Sequence, residues 1–172
     1  MIVHFLRHAS AGVPKGNPQK DSKRGLDKDG IVQCAHVGRA LAAMDVHPEA
    51  LISSPLKRAT QTASLVANEI AYEGKLVLDQ ALLPGARFEA FRDLLARYRK
   101  AEEIMVVGHN PSLSQFVSLL VSDRSTDNGV DLKKAAVARV DVDGNSGVLQ
   151  WLLTPKLARA IYESARRRRS KG

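Results

Sequence analysis

Short apolar runs and spaced apolar stripes take turns along this chain, and their order predicts its elements. Met1 to Leu6 is a short, largely apolar run suited to a buried strand, and it stops at Arg7-His8 and the small residues Ala9 to Gly12. Gly12 to Gly25 is polar and turn-rich, with Pro14, Gly16 and Pro18, and predicts a loop. Asp27 reads as a helix N-cap, followed at helical spacing by Ile31, Cys34, Ala35, Gly38, Leu41 and Ala42. Ala50 to Ser53 predicts a strand. Ser54-Pro55 then offers a hydroxyl at N-cap and a proline at N1, with Leu56, Ala59, Ala63, Val66, Ala67 and Ile70 as the inward stripe. Lys75 to Leu78 predicts a third strand, Pro84-Gly85 a turn, and Phe88, Phe91, Leu94, Leu95 and Tyr98 a helix. Ile104 to Val107 reads as a buried strand running into Gly108-His109. Asn110 as cap and Pro111 as first residue then open a helix with Leu113, Phe116, Val117 and Leu120 inward. After a polar, loop-like stretch from Ser122 to Asp131, Ala135 to Val142 and Val148 to Leu153 flank the turn Asp143–Gly147 as a hairpin. Thr154-Pro155 starts the last helix, with Leu157, Ala158, Ile161, Tyr162 and Ala165 on one face.

Strand and helix thus alternate four times before a hairpin and a helix close the chain. That order predicts an α/β fold: three layers, a mainly parallel sheet with helices on both faces, and a C-terminal antiparallel hairpin. Ligands of such sheets bind outside the carboxyl ends of the strands. The first strand ends at Arg7-His8, the second leads through Ser53-Ser54 to Arg58, and the fourth ends at His109. Taken singly, each has an ordinary reading: Arg7 and Arg58 as solvated surface arginines, His8 as a hydrogen-bonded strand-end histidine. Three segments delivering Arg, His, Arg and His to one sheet edge favour a site. Arg58 falls in the first turn of its helix, where the dipole disfavours a cation, and it fits better there if an anion is shared.

The totals narrow the class. A chain of 172 residues, 44% apolar and 26% charged, predicts one globular domain, residues 1–165, with a basic tail, residues 166–172. Five of the 26 basic residues lie from Arg166 onward; without them 21 basic face 18 acidic residues, a net +3 instead of +8. The tail could touch nucleic acid, but no aromatics interleave with its arginines, and a solvated end is the simpler reading. No apolar run approaches the ~18 residues of a membrane helix. The chain starts at once with a strand, without a leader, and holds one cysteine, Cys34, on an inward helix face. These features predict the cytoplasm and no membrane partner.

Two imidazoles and two guanidiniums without clustered carboxylates describe an anion site. No metal and no cofactor is expected: His4 and His8 on one strand lie roughly 13 Å apart, too far for one ion. Walker loops, nucleophile elbows and paired cysteines are lacking from the sequence. His36, on a helix, and His47, in a loop, are expected to have no catalytic role.

Leu6-Arg-His-Ala9, the segment Ser53 to Thr62 and Val107-Gly-His-Asn-Pro111 together resemble the histidine phosphatase superfamily, of phosphoglycerate-mutase-like fold. The motifs stand in family order, and matching strand and helix signals span nearly the whole chain. Short length, Ala9 after the histidine and the segment Arg24 to Gly30 look most like the SixA-type phosphohistidine phosphatases. The resemblance implies His8 as the nucleophile that becomes phosphorylated. Arg7, Arg58 and His109 would hold the phosphoryl oxygens, and Arg24 would stand beside the pocket.

One departure bears on the substrate. Many family phosphomonoesterases carry a glutamate near residue 81 as proton donor; here the residue is Ala81, and no acid lies between Gln80 and Arg87. Glu89 falls in the next helix and is not assigned as the acid. An alkoxide needs a general acid to leave, whereas a phosphohistidine protonated on its second nitrogen can expel neutral imidazole. The expected partner is therefore a phosphohistidine-bearing phosphocarrier or signalling protein, met by the basic stretch Lys15 to Arg24. A small phosphorylated substrate of a phosphomonoesterase or pyrophosphatase is the alternative, and a non-catalytic phosphate-binding module the second. The sequence sets no oligomeric state.

Overall fold

The computed structural model of the chain describes residues 1–13, 16–122 and 129–169. Pro14, Lys15, most of the expected 122–131 loop and the last three residues of the tail lie outside them.

The chain forms strands β1 (Ile2–Arg7), β2 (Ala50–Ser53), β3 (Leu76–Leu78), β4 (Glu103–Gly108), β5 (Val137–Asp143) and β6 (Ser146–Leu153). The helices are α1 (Pro18–Ser22), α2 (Lys28–Ala43), α3 (Lys57–Glu69), α4 (Phe88–Arg97), α5 (Ser112–Val121) and α6 (Pro155–Arg169), with a 3-10 turn at Gln80–Leu82. One six-stranded sheet has the order β3-β2-β4-β1-β5-β6. The first four strands in that order are parallel, β5 is antiparallel to β1, and β6 is antiparallel to β5. The predicted α/β fold, its helix-covered sheet and its C-terminal hairpin are all present.

Strand alternation assigns the two faces. Val3 and Phe5 of β1, with Ile104 and Val106 of β4, meet α4 and α5 through Phe91, Leu94, Leu113, Phe116 and Val117. The rings of Phe91 and Phe116 stack at 4.7 Å between centroids. Leu6, Met105 and Val107 face the opposite way, toward Cys34, Val37 and Leu41 of α2, Ala59, Ala63 and Val66 of α3 and Ala158 of α6. Burial pushes the Cys34 thiol up to about 12, as suits a core residue.

Four expectations change. The loop from Gly12 to Gly25 contains the short helix α1, capped by Asn17, whose Oδ1 accepts from the N–H groups of Gln19 and Lys20. Helix α3 starts at Lys57 rather than at Pro55, so Ser54 is not its cap. Helix α5 starts at Ser112, with Pro111 rather than Asn110 at N-cap. On α6, Ala158 is buried, but Leu157 and Ile161 are exposed, because the neighbouring stripe of Ala158 and Tyr162 is the one that docks on α2. Ile31 of α2 is likewise exposed.

Register brings the chemistry together. Arg7 of β1 pairs with Gly108 of β4, and Ser53 of β2 with Val107. The ladder runs one step further on each side: His8 N–H donates to Gly108 O at 3.0 Å, and Ser54 N–H to Val107 O at 2.9 Å. His8, Ser54 and His109 therefore leave three adjacent strands at the same level.

Candidate active site

The imidazoles of His8 and His109 face each other at this edge, their centroids 4.9 Å apart. Both are buried, and so is Arg58, the second residue of α3. His8 Nδ1 lies 2.8 Å from Ala9 O. A carbonyl only accepts, so Nδ1 carries the proton and Nε2 keeps a lone pair. Burial, aided by the charges of Arg58, Arg7 and Arg24 and opposed by the Ala9 hydrogen bond, lowers the His8 pKa to about 4. The ring is thus neutral at pH 7, with a lone pair on Nε2.

His109 Nε2 lies 2.8 Å from Ser54 Oγ. That oxygen also accepts from Leu56 N–H at 3.3 Å, and its hydroxyl can donate to an unprotonated His109 Nε2. In the tautomer with that donation the ring proton of His109 is on Nδ1, a buried atom with no partner among the described residues. Burial, then His8, Arg58, Arg7 and Arg24, push the His109 pKa down to about 2. The proton on Nδ1 is a neutral donor poised for an acceptor.

The guanidiniums show the same pattern. Arg7 Nη1 donates to Leu132 O at 2.7 Å, and Arg58 Nη1 to Asp21 O at 3.1 Å. The Nε atoms of both are buried without a partner among the described residues. Burial lowers both pKa values from the arginine norm; their range is high enough that both stay charged. Two buried guanidinium Nε–H groups beside two neutral imidazoles suit a tetrahedral oxyanion.

Arg24 uses its donors on protein atoms. Its Nε donates to Asp21 Oδ1 at 2.8 Å, and its Nη1 to Ala11 O at 2.7 Å and Gly12 O at 3.1 Å. Its charge still reaches His8 and His109. It stands beside the pair and holds the loop that follows the nucleophile.

Other residues brace that loop without having stood out in the sequence. Ala9 N–H donates to Thr62 Oγ1 at 3.0 Å, and Thr62 donates to Arg58 O at 2.7 Å. Asp27, expected as an N-cap and accepting from Gly30 N–H, also takes Ser10 Oγ–H and Gly12 N–H on its second oxygen. Gly30 is needed where α2 meets the loop: a Cβ there would stand 2.0 Å from Ser10 O. Asp21 and Ser54 were missed as well. Asp21, three residues before Arg24, left a weak i,i+3 signal; a serine before a helix reads as a cap wherever it points.

The remaining histidines lie away from the pair. His4 Nε2 meets Glu103 Oε1 at 3.0 Å, toward the start of β1. His36 rests against Tyr162, and His47 is exposed. Among the described residues, no three His, Cys, Asp or Glu side chains gather as metal ligands, and no helix is long and apolar enough to cross a membrane.

The depressed histidines carry a pH signature. In the unfolded chain an imidazole titrates near 6.5. Folded, His8 and His109 stay neutral down to about 4 and about 2. The unfolded state therefore binds more protons below 6.5, and stability falls as pH falls through that value. Each ring contributes up to about 1.4 kcal/mol per pH unit. Urea unfolding at pH 7 and pH 5 is expected to show this loss, and His109→Gln to show a smaller one.

A sequence profile of the histidine phosphatase superfamily (branch 1) matches residues 3–82. An uncharacterized protein of Picosynechococcus sp. is 30% identical over 140 residues, 80% of this chain and 82% of that one. The structure of the protein histidine phosphatase SixA complexed with tungstate matches with a TM-score of 0.81 at 22% identity, covering 91% of this chain and 98% of that chain. The alpha-ribazole phosphatase from Shigella flexneri matches with a TM-score of 0.66 at 16% identity, covering 90% of this chain and 97% of that chain.

Proposed function

This chain belongs to the histidine phosphatase superfamily, and from that premise we propose that it is a phosphatase that dephosphorylates histidine side chains of a cytoplasmic phosphocarrier or signalling protein. The phosphoryl group passes through a covalent intermediate on His8, without a metal ion, because guanidiniums supply the positive charge.

The first step exchanges one P–N bond for another. The lone pair of His8 Nε2 forms a bond to phosphorus while the substrate's P–N bond breaks and its electron pair returns to the leaving ring. That ring departs as neutral imidazole, since its second nitrogen is protonated. His8 becomes a phosphoimidazolium whose Nδ1–H still donates to Ala9 O. Nucleophile and leaving group are the same heterocycle, so the exchange is close to balanced. In the second step a water oxygen bonds to phosphorus, the His8 N–P bond breaks, and His8 recovers its lone pair; the water's proton passes to phosphate or solvent. Arg7, Arg58 and His109 Nδ1–H hold the equatorial oxygens in both steps, where charge accumulates in the transition state. The SixA structure was obtained with tungstate, another tetrahedral oxyanion, which supports such a cradle in this fold.

One observation carries the choice of substrate: among the described residues the carboxylates at the anion site are Asp21, against the guanidiniums of Arg24 and Arg58, and Asp131, whose charge reaches Arg7 and which is exposed and paired with Lys133. A carboxylate so placed is engaged by cations rather than directed at a leaving group. At the segment where many family members carry a glutamate, Ala81 is buried in the core beside Leu82. Glu89 is exposed and paired with Arg87. A substrate whose leaving group needs no enzyme acid fits this set. The exposed Lys20 and Lys23 stand on the same loop as Arg24 and suit an acidic carrier surface.

The test compares a phosphohistidine-bearing protein with an alkyl phosphate such as phosphoserine, in the presence of a chelator. Phosphohistidine is expected to be favoured in kcat/KM by about 10²-fold or more, the scale of a missing general acid. Equal turnover of the alkyl phosphate would make the chain a small-molecule phosphomonoesterase and require a proton donor elsewhere.

A further inference from the structure

We propose that Asp21 is a built-in counter-ion of the anion site, a carboxylate that competes with the phosphoryl group for Arg58 and Arg24 and so sets how weakly product phosphate is held. The inference rests on the proposed role of Arg58 as a phosphoryl ligand and goes beyond it.

The geometry is asymmetric. Asp21 Oδ1 accepts from Arg24 Nε at 2.8 Å, a firm charged hydrogen bond. Its Oδ2 lies 3.4 Å from Arg58 Nη1, which is long for such a pair. The same Nη1 is held at 3.1 Å by the main-chain oxygen of Asp21. Arg58 is thus positioned by a carbonyl that a ligand need not displace. It is only loosely neutralised by the carboxylate that a ligand would oppose. Helix α1 fixes the arrangement: Asn17 caps it, and Arg24 N–H closes back onto Asp21 O at 3.1 Å. The charges agree with this picture, since Asp21 stabilises the cationic form of Arg58 while Arg24 opposes it.

Phosphate leaves the site as a dianion with much the same shape as the transferring group. Arg58 without Asp21 beside it would hold product as well as transition state, and uniform binding of that kind does not raise kcat. A fixed carboxylate at the rim weakens both, and its effect on turnover is greatest where product release limits the rate.

Calorimetric titration of inorganic phosphate, and separately of tungstate, into wild type, Asp21→Asn and Asp21→Glu at one pH and salt concentration tests this. Asp21→Asn keeps the size and an acceptor for Arg24 but loses the charge. It is expected to bind phosphate about tenfold more tightly, the effect of one partly screened charge. It is also expected to lower KM and kcat together on the phosphohistidine substrate. Asp21→Glu, which restores the charge, is expected to stay within about threefold of wild type. If Asp21 merely supported Arg58, Asp21→Asn would bind phosphate more weakly. That result, or unchanged affinity, with the melting temperature preserved, overturns the inference and leaves the phosphatase reading intact. Failure of all three proteins to bind either anion would instead overturn the anion site itself.

Discussion

Replacing His8 with alanine is expected to lower turnover of a phosphohistidine substrate on the order of 10⁴-fold or more and to abolish the phosphoenzyme. Loss of a nucleophile removes a reaction path rather than one contact, and effects of that size are the norm for groups that act as a unit. The surrounding cradle does not depend on the imidazole. Arg7 is fixed by Leu132 O, Arg58 by Asp21 O, and His109 by Ser54. His8→Ala is therefore expected to fold and to keep binding phosphate. Rapid quenching with a radiolabelled phosphohistidine protein checks the chemical claim. Wild type should carry label on an acid-labile, base-stable P–N bond, and His8→Ala should carry none. Label retained by the variant, or turnover within tenfold of wild type, would move the nucleophile to another residue.

The four residues of this cradle were legible because each ends or follows a strand. A buried apolar run that stops at a charged or titratable residue marks a strand terminus, and a parallel sheet gathers those termini at one edge. Arg7-His8 and His109 carried that mark; Arg58 carried another, a cation in the first turn of a helix that follows a strand. Register then did what periodicity cannot: it aligned Arg7 with Gly108 and set His8 and His109 at one level.

Residues whose role depends on a partner far along the chain left no such trace. Ser54 and Pro55 look like a helix start, and the hydroxyl does accept a nearby N–H; only the approach of β4 reveals that it also hydrogen-bonds His109 Nε2. Asp21 sits in a five-residue helix too short to show a period, opened by a proline within a turn-rich stretch. On α6, Leu157 and Ile161 form one stripe and Ala158 and Tyr162 the next, about 100° around the axis. Both stripes are apolar, and the choice between them falls to α2, where Arg39 lies over the Tyr162 ring at 5.3 Å. The identity of each helix was written locally; which of two adjacent faces it buries was not.

Arg58→Met is expected to separate activity from stability. Methionine keeps much of the apolar stem of Arg58, which packs at the start of α3, but removes the guanidinium. The phosphoryl oxygens lose a charged donor that acts where water is excluded, so kcat/KM on the phosphohistidine substrate is expected to fall about 10²- to 10³-fold. Arg58→Lys is expected to recover little of it, because an ammonium cannot present the planar fork that meets two oxygens at once. Stability should move the other way or barely at all. The guanidinium is buried, 5% exposed, with Nε unpartnered among the described residues, and its nearest carboxylate contact is long. A buried charge so weakly compensated costs folding free energy, and replacing it with an apolar side chain of similar size is often neutral or stabilising. Asp21 retains Arg24 as partner in the variant, so no carboxylate is stranded. Urea midpoints within about 1 kcal/mol of wild type, measured beside the kinetics, are the expected result. A large loss of stability would mean that Arg58 holds the fold, and wild-type kcat/KM in Arg58→Met would remove it from the reaction. The strain of an unsatisfied cation in the folded protein is then the physical counterpart of its use: the donor that lacks a protein partner is the one available to the transition state.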